Sequence, residues 1–114
     1  MEDCIFCEIV SKSMKSDIVY EDEEVVAFND INPQAPVHTL VVPRKHITSV
    51  HNMKPEDAAL MGKMVMIVKK IAEKYKLKND GYRLVINHGI NSGQEVPHLH
   101  LHVLGGRRMT WPPG

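Results

Sequence analysis

The sequence predicts a single α+β domain, with a mainly antiparallel sheet of five strands, one long helix and one short helix. Three observations predict this class: a length of 114 residues, several short β-rich segments between turn residues, and one long stretch with helical periodicity. A chain of this length forms one domain around one core. Hydrophobic residues make up 43% and charged residues 25%, which is normal for a globular protein and excludes a disordered or fibrous chain. We therefore expect residues 1–114 to be one domain.

The first part of the chain predicts the short helix and three strands. Residues 3–11 predict the helix, with Asp3 as its N-cap. Residues 18–22 and 24–31 are β-rich and are separated by an acidic turn, which predicts an antiparallel hairpin. After a loop that contains two prolines, residues 38–43 predict a third strand that ends at proline.

The long helix is predicted to begin at Pro55, because proline suits the first helical position and Glu56 and Asp57 favour a helix N-terminus. Apolar side chains then recur at three- and four-residue steps, so we expect one apolar stripe to pack into the core. Residues 82–88 and 98–104 predict the last two strands. The stripe consists of Leu60, Met61, Met64, Ile67, Val68, Ile71 and Tyr75.

Charge and hydropathy exclude several classes of partner. The chain has 14 acidic and 14 basic residues, whereas a general nucleic-acid binder has a basic excess. No apolar run approaches the ~18 residues that a membrane span needs. Glu2 and Asp3 stand near the N-terminus, where a secretory signal carries Lys or Arg. We therefore expect a cytoplasmic protein that binds neither nucleic acid nor membrane.

Three of the seven histidines alternate in one segment, as His98, His100 and His102. Alternate residues of a strand point to the same face, with Cα atoms roughly 6.6 Å apart. The three imidazoles should therefore form a group, and the intervening apolar residues should point towards the long helix. Imidazole can donate or accept a proton, attack an electrophile or bind a metal near neutral pH.

Three interpretations of this histidine strand compete. The side chains could be polar residues on a solvated sheet face, ligands of zinc, or a nucleophile with its supporting groups. The loop from Asn87 to Gln94 is rich in glycine and amide side chains, and such a loop can offer neutral N–H donors to an anion. Next to the histidine strand, it favours nucleophilic attack on a phosphate.

The chain resembles the histidine triad superfamily, and its Hint branch in particular. The resemblance lies in the segments CIFCEIV, FNDINPQAPVHTLVVPRKHI and NHGINSGQEVPHLHLHVLGG and in the tail GGRRMTWPPG. It implies a HIT-like fold and a homodimer whose subunits join their sheets. It also implies binding of an AMP-like purine nucleotide, and hydrolysis of purine nucleoside 5′-phosphoramidates through a covalent nucleotidyl-histidine.

The resemblance implies a role for each of four histidines. His100 would be the nucleophile, His102 would contact and position the phosphate, and His98 would support the group. His38 would hydrogen-bond a triad histidine and set its tautomer.

The resemblance also implies a set of substrate-binding residues. Asp30 would bind the ribose hydroxyls, and Trp111 would approach the leaving-group side of the other subunit's pocket. Glu95 departs from the family pattern, because many Hint proteins have there a serine that can donate to phosphate. A carboxylate at that position could repel an anion or point away, so it bears on leaving-group preference. The remaining residues are Phe6, Ile9, Phe28 and Ile31 around the base, and Asn87, Gly93 and Gln94 around the phosphate.

Cys4 and Cys7 form a C-x-x-C pair that no strand precedes, so a thioredoxin-like redox site is not expected. Two histidines could complete a tetrahedral zinc site with them. The resemblance implies His46 and His98, because some relatives in the superfamily hold zinc at these positions. The alternative is two buried thiols packed under the sheet. Such a zinc would be structural, and we expect no cofactor to be required for catalysis.

Two other functions remain open at this point. The same pocket and dimer could serve a non-catalytic purine-nucleotide-binding or scaffold protein. A metal-dependent hydrolase could instead use zinc bound by the three triad histidines.

Overall fold

The computed structural model describes residues 4–114 and contains one five-stranded sheet with strand order β1-β2-β3-β5-β4. All four strand pairs are antiparallel. This confirms the predicted α+β class, with its long and short helices. Within residues 4–114, no helix is long and apolar enough to cross a membrane. The elements are α1 Ile5–Val10, β1 Ile18–Glu21, β2 Val25–Asn29, β3 Val37–Pro43, α2 Ala58–Lys74, β4 Tyr82–Val85 and β5 Leu101–Gly105.

The short helix is held at its start by a cysteine. The predicted N-cap, Asp3, lies outside the described residues. The helix begins at Ile5, and the Cys4 side chain occupies the cap position, where its Sγ accepts a hydrogen bond from the Cys7 backbone N–H at 3.3 Å. Because this cap joins the first and fourth residues of the C-x-x-C pair, it places both sulfur atoms at the same end of the helix.

The long helix packs as its periodicity predicts. A 3-10 turn at Pro55–Asp57 precedes α2, and the buried Asp57 carboxylate accepts the Lys54 N–H and the Lys45 Nζ at 2.9 and 2.7 Å. The apolar stripe packs against one face of the sheet, in a core that also contains Leu99 from the segment before β5. Burial of one such side chain stabilises the fold by about 1.5–3 kcal/mol. Of the predicted stripe, Met64, Ile67, Val68 and Ile71 are buried, and Leu60, Met61 and Tyr75 pack against them partly exposed.

The sheet has a core on each face, and this separates the helix from the histidines. Val25 and Val41 belong to the core under α2, whereas Phe28 and Leu40 belong to the core under α1. Side chains alternate along a strand, so His38 of β3 shares its face with Leu40. The α1 face therefore carries the histidine cluster.

The last strand is shorter than the sequence predicts. The sequence predicts residues 98–104, whereas β5 begins at Leu101, so His98 and His100 precede it. The reason lies in the neighbouring strands, because β3 ends at Pro43, which has no N–H to donate, and β4 ends at Val85. β4 likewise stops short of the predicted residue 88. The segment before β5 is held instead by a hydrogen bond from the Leu99 N–H to the Ile47 carbonyl.

Candidate functional site

A cleft of about 620 Å³ lies on the α1 face of the sheet. Its walls come from the loop after β2, the central strands, the loop after β4, and α1. Along the strand order, the lining residues run from Asp30 after β2, through His38 on β3 and His102 on β5, to Asn87 after β4. The histidines therefore lie between the loop after β2 and the loop after β4, which form the two rims of the cleft. The other lining residues are Ile5, Phe6, Ile31, Asn32, Gln34, Leu40, Gly93, Glu95, Val96 and His100.

His100 has one ring nitrogen committed to the backbone. Its Nδ1 lies 2.7 Å from the His98 carbonyl oxygen, and since a carbonyl only accepts, Nδ1 carries the proton and donates. Burial lowers the pKa of His100 from its ordinary value, which favours the neutral ring. In a neutral ring with a proton on Nδ1, Nε2 keeps its lone pair. His100 therefore offers a nucleophilic nitrogen.

His38 and His102 form a directed chain of hydrogen bonds that starts at the backbone. The Gln34 N–H donates to His38 Nδ1 at 3.0 Å, so His38 carries its proton on Nε2. That Nε2–H donates to His102 Nδ1 at 2.9 Å, which leaves the His102 proton on Nε2. Burial lowers the pKa of both rings, to about 4 for His102. This series of hydrogen bonds thus leaves one N–H donor, His102 Nε2–H, beside the neutral His100.

His98 faces away from this chain and towards the cysteines. It is fully buried, and its Nε2–H donates to the Pro43 carbonyl at 2.8 Å, so the Nδ1 lone pair is free. That Nδ1 lies 3.2 Å from Cys4 Sγ and 3.6 Å from Cys7 Sγ. Burial lowers the pKa of His98 to about 4. His98 is therefore a neutral ring with a lone pair directed at two sulfur atoms.

The donor set around His98 fits a tetrahedral zinc ion. His46 Nδ1 lies 3.2 Å from Cys7 Sγ, and the four possible ligand atoms all lie within 4.8 Å of one another. Zinc ligand lengths require sulfur and nitrogen atoms about 3.5 Å apart. The hydrogen bond from His98 Nε2–H to a carbonyl is the kind that orients a metal-bound imidazole. Without metal, burial and the neighbouring Cys4 raise the pKa of Cys7 to about 11.

A second group, Asp30, His38 and His102, also brings three possible ligand atoms within 4.8 Å. It does not fit a metal, because His38 Nδ1 accepts the Gln34 N–H and Nε2 must then keep its proton. A zinc ion bound by all three triad histidines does not fit either. His98 directs its lone pair at the thiols and its N–H at a carbonyl.

Four of the predicted substrate-binding residues do not line the cleft. Ile9 and Phe28 are buried behind Phe6, whose ring centroid lies 5.4 Å from that of Phe28. Gln94 fixes its own loop, because its amide donates to the Thr48 and Val96 carbonyls and accepts the Gly89 N–H. Trp111 is 80% exposed, outside the cleft of its own subunit.

The other predicted residues do meet at the cleft, and Ile31 lies on its rim with 94% of its surface exposed. The sequence reasoning missed Gln34, whose contribution is a backbone N–H that no side-chain motif reveals. It also missed Val96, which lies in a bend closed by a hydrogen bond from the His98 N–H to the Val96 carbonyl. A separate cleft of about 690 Å³ beside Lys76 and Arg108 contains none of the predicted site residues.

The fold and the site define a class of small α+β proteins in which histidines of the central strands and of the segment before the last strand line a cleft on one face of the sheet. A family model described as the HIT domain matches residues 11–109. An uncharacterized HIT-like protein of Synechocystis is 48% identical over 113 residues, which are 99% of this chain and 98% of that protein. The chain belongs to the HIT family.

Two solved structures show how closely the fold is shared. A HIT family hydrolase from Legionella pneumophila superposes with a TM-score of 0.96 at 46% identity, over 98% of this chain and 100% of that one. A histidine triad protein from Clostridium difficile superposes with a TM-score of 0.94 at 41% identity, over 96% of each chain.

Proposed function

We propose that this protein is a hydrolase that cleaves the P–N bond of purine nucleoside 5′-phosphoramidates, such as adenosine 5′-monophosphoramidate. The observation that carries the proposal is the tautomer of His100. Its Nδ1–H is bound to the His98 carbonyl, and the ring lines the cleft with a free lone pair on Nε2. The similarity to a HIT family hydrolase supports hydrolysis as the reaction class.

The first chemical step is attack by His100 Nε2 on phosphorus, with departure of the amine. The leaving nitrogen takes up one proton from solvent, so that it departs as a neutral amine. His102 stays neutral, because its Nδ1 already accepts the His38 Nε2–H, and its Nε2–H donates a hydrogen bond to a phosphoryl oxygen. The products of this step are a neutral amine and a nucleotidyl group on His100.

The second step is hydrolysis of this intermediate. A water molecule attacks phosphorus and gives one proton to solvent, and the bond to His100 Nε2 breaks. Nucleoside monophosphate is released, and His100 is again neutral with a free lone pair on Nε2. The phosphoryl charge is met by preorganised neutral donors of the loop that contains Asn87 and Gly93.

The substrate orientation follows from the two rims of the cleft. The Asp30 carboxylate can accept hydrogen bonds from both ribose hydroxyls. Phe6 and Leu40 are apolar and lie on the same side, where they can contact the base. The phosphate then lies over His100 and His102, and the leaving amine points towards the rim formed by the loop after β4.

We also propose a homodimer joined through β4. This strand is an edge of the sheet within residues 4–114, and an unpaired edge readily accepts another strand. Two of its large side chains are exposed, with 39% for Tyr82 and 38% for Leu84, as is Ile86 just after the strand, with 38%. Analytical ultracentrifugation should give twice the chain mass, and a charged residue at Leu84 should yield monomers.

We propose that zinc bound by Cys4, Cys7, His46 and His98 is structural. Zinc would tie α1 to the segment before β5 and would hold the cysteines as thiolates. Catalysis does not require it in this proposal, because His100 and His102 carry the chemistry. Activity of the zinc-loaded protein should persist in EDTA for as long as the protein stays folded.

Rapid quenching without acid tests the proposed reaction. Protein mixed with adenosine 5′-monophosphoramidate should gain the mass of one adenylyl group on His100, detected in the intact protein and in its peptides. The His100→Ala variant should gain none and should still bind AMP. Binding of AMP by both proteins without any turnover would instead identify a nucleotide-binding protein.

A further inference from the structure

We propose that Glu95 determines leaving-group specificity, and that the cleft favours phosphoramidates whose departing amine carries a second, positively charged group. The inference rests on the proposed function and names the substrate class more narrowly. A diamine, or another amine with a free ammonium group at its far end, is the chemistry that the site would recognise.

The charged residues of the cleft lead to this inference. Among the residues of 4–114 that line it, Asp30 and Glu95 are acidic, and none is Lys or Arg. A cleft that binds a phosphate anion without any permanent cation disfavours additional negative charge on the substrate. A positive charge on the leaving group would instead be attracted.

The position of Glu95 associates it with the leaving group and not with the nucleoside. Asp30 follows β2 at one rim, whereas Glu95 belongs to the loop after β4 at the opposite rim, with β3 and β5 between them. A nucleotide with its ribose at Asp30 and its phosphorus at His100 therefore directs the amine towards Glu95.

The loop that carries Glu95 is held in place, and the Glu95 carboxylate is available. The preceding residue, Gln94, donates to the Thr48 and Val96 carbonyls at 2.9 and 3.1 Å, which fixes the loop on both sides of Glu95. The Glu95 side chain is exposed and forms no hydrogen bond or ion pair with the residues that the structure describes. Two opposite unit charges about 4 Å apart in water change an equilibrium about fivefold.

Three AMP phosphoramidates whose leaving amines each contain four carbon atoms test this preference. Their amines are 1,4-diaminobutane, butylamine and 4-aminobutyrate, which place a positive charge, no charge or a negative charge at the far end. The wild-type protein should show the highest kcat/KM for the first and the lowest for the last, with about fivefold between neighbours. The differences should shrink in 1 M salt, because salt screens exposed charges.

Variants test whether the substrate preference comes from Glu95 or from the overall charge of the protein. Glu95→Gln should bring the three kcat/KM values within about twofold of one another, and Glu95→Lys should reverse their order. Glu23→Gln is the matched control: Glu23 is an exposed acid in the β1–β2 turn, and its loss should leave the order unchanged. Equal turnover of the three substrates by wild type, or an equal rise for all three in Glu95→Gln, would overturn the role of Glu95. No turnover of any of them would overturn the proposed function itself.

Discussion

His98 and His100 are two residues apart in one motif, yet they present opposite ring nitrogens. His98 donates from Nε2 to the Pro43 carbonyl and keeps its Nδ1 lone pair for the cysteines. His100 donates from Nδ1 to the His98 carbonyl and keeps its Nε2 lone pair for the cleft. A backbone carbonyl thus decides which ring nitrogen keeps a free lone pair in each histidine. His98 joins Cys4, Cys7 and His46 in a structural cluster, whereas His100 and His102 form a reactive cluster in the cleft.

The largest expected effect is the loss of His100. His100→Ala should lower kcat for adenosine 5′-monophosphoramidate by about 10⁴-fold or more, since removal of a nucleophile leaves only binding and electrostatic stabilisation. AMP affinity, measured by calorimetry, should change little. His51→Ala is the control, because His51 is exposed and outside the cleft. Substantial remaining turnover by His100→Ala would show that another group attacks phosphorus.

The structural cluster should respond to metal in stability and not in catalysis. With zinc at several hundred times its dissociation constant, the free energy of unfolding should exceed that of the metal-free protein by about 3–4 kcal/mol. The double variant Cys4→Ser with Cys7→Ser should lose this increment, while both proteins, when folded, cleave the phosphoramidate at similar rates. Equal unfolding midpoints with zinc and with EDTA would instead favour two buried thiols.

The sequence predicts which faces of the elements are buried, but it does not predict where β5 begins or which nitrogen of each histidine carries the proton. The α2 stripe and the alternation of Leu99, Leu101 and Val103 with the histidines follow from periodicity, because one face of each element must be buried. The start of β5 does not follow, since it depends on where the neighbouring strands end. The tautomers depend on single backbone groups, such as the Pro43 carbonyl, that only the fold brings within reach.

The hydrogen-bond chain to His102 should depend on the backbone of Gln34. Gln34→Pro removes the N–H that donates to His38 Nδ1, so both His38 tautomers become accessible and kcat should fall about tenfold. Gln34→Ala keeps that N–H and should retain wild-type kcat. Circular dichroism of both variants should match wild type, and equal kcat values for Pro and Ala would mean that this chain does not set the His102 tautomer.

The smallest expected effect is the share of His102 in acid destabilisation. Burial lowers its pKa to about 4 in the folded protein, whereas an unfolded histidine titrates near about 6.5. Between these values the unfolded state binds more protons, so the stability associated with this residue is present at neutral pH and falls as the pH decreases towards 4.

Urea unfolding at pH 6.5, 5.5 and 4.5 should give a shallower pH dependence of the free energy of unfolding for His102→Gln than for wild type. The difference should be at most about 1.4 kcal/mol per pH unit. Equal slopes for the two proteins would mean that His102 titrates in the folded protein as it does in the unfolded chain, and that the cleft holds a charged ring at mildly acidic pH.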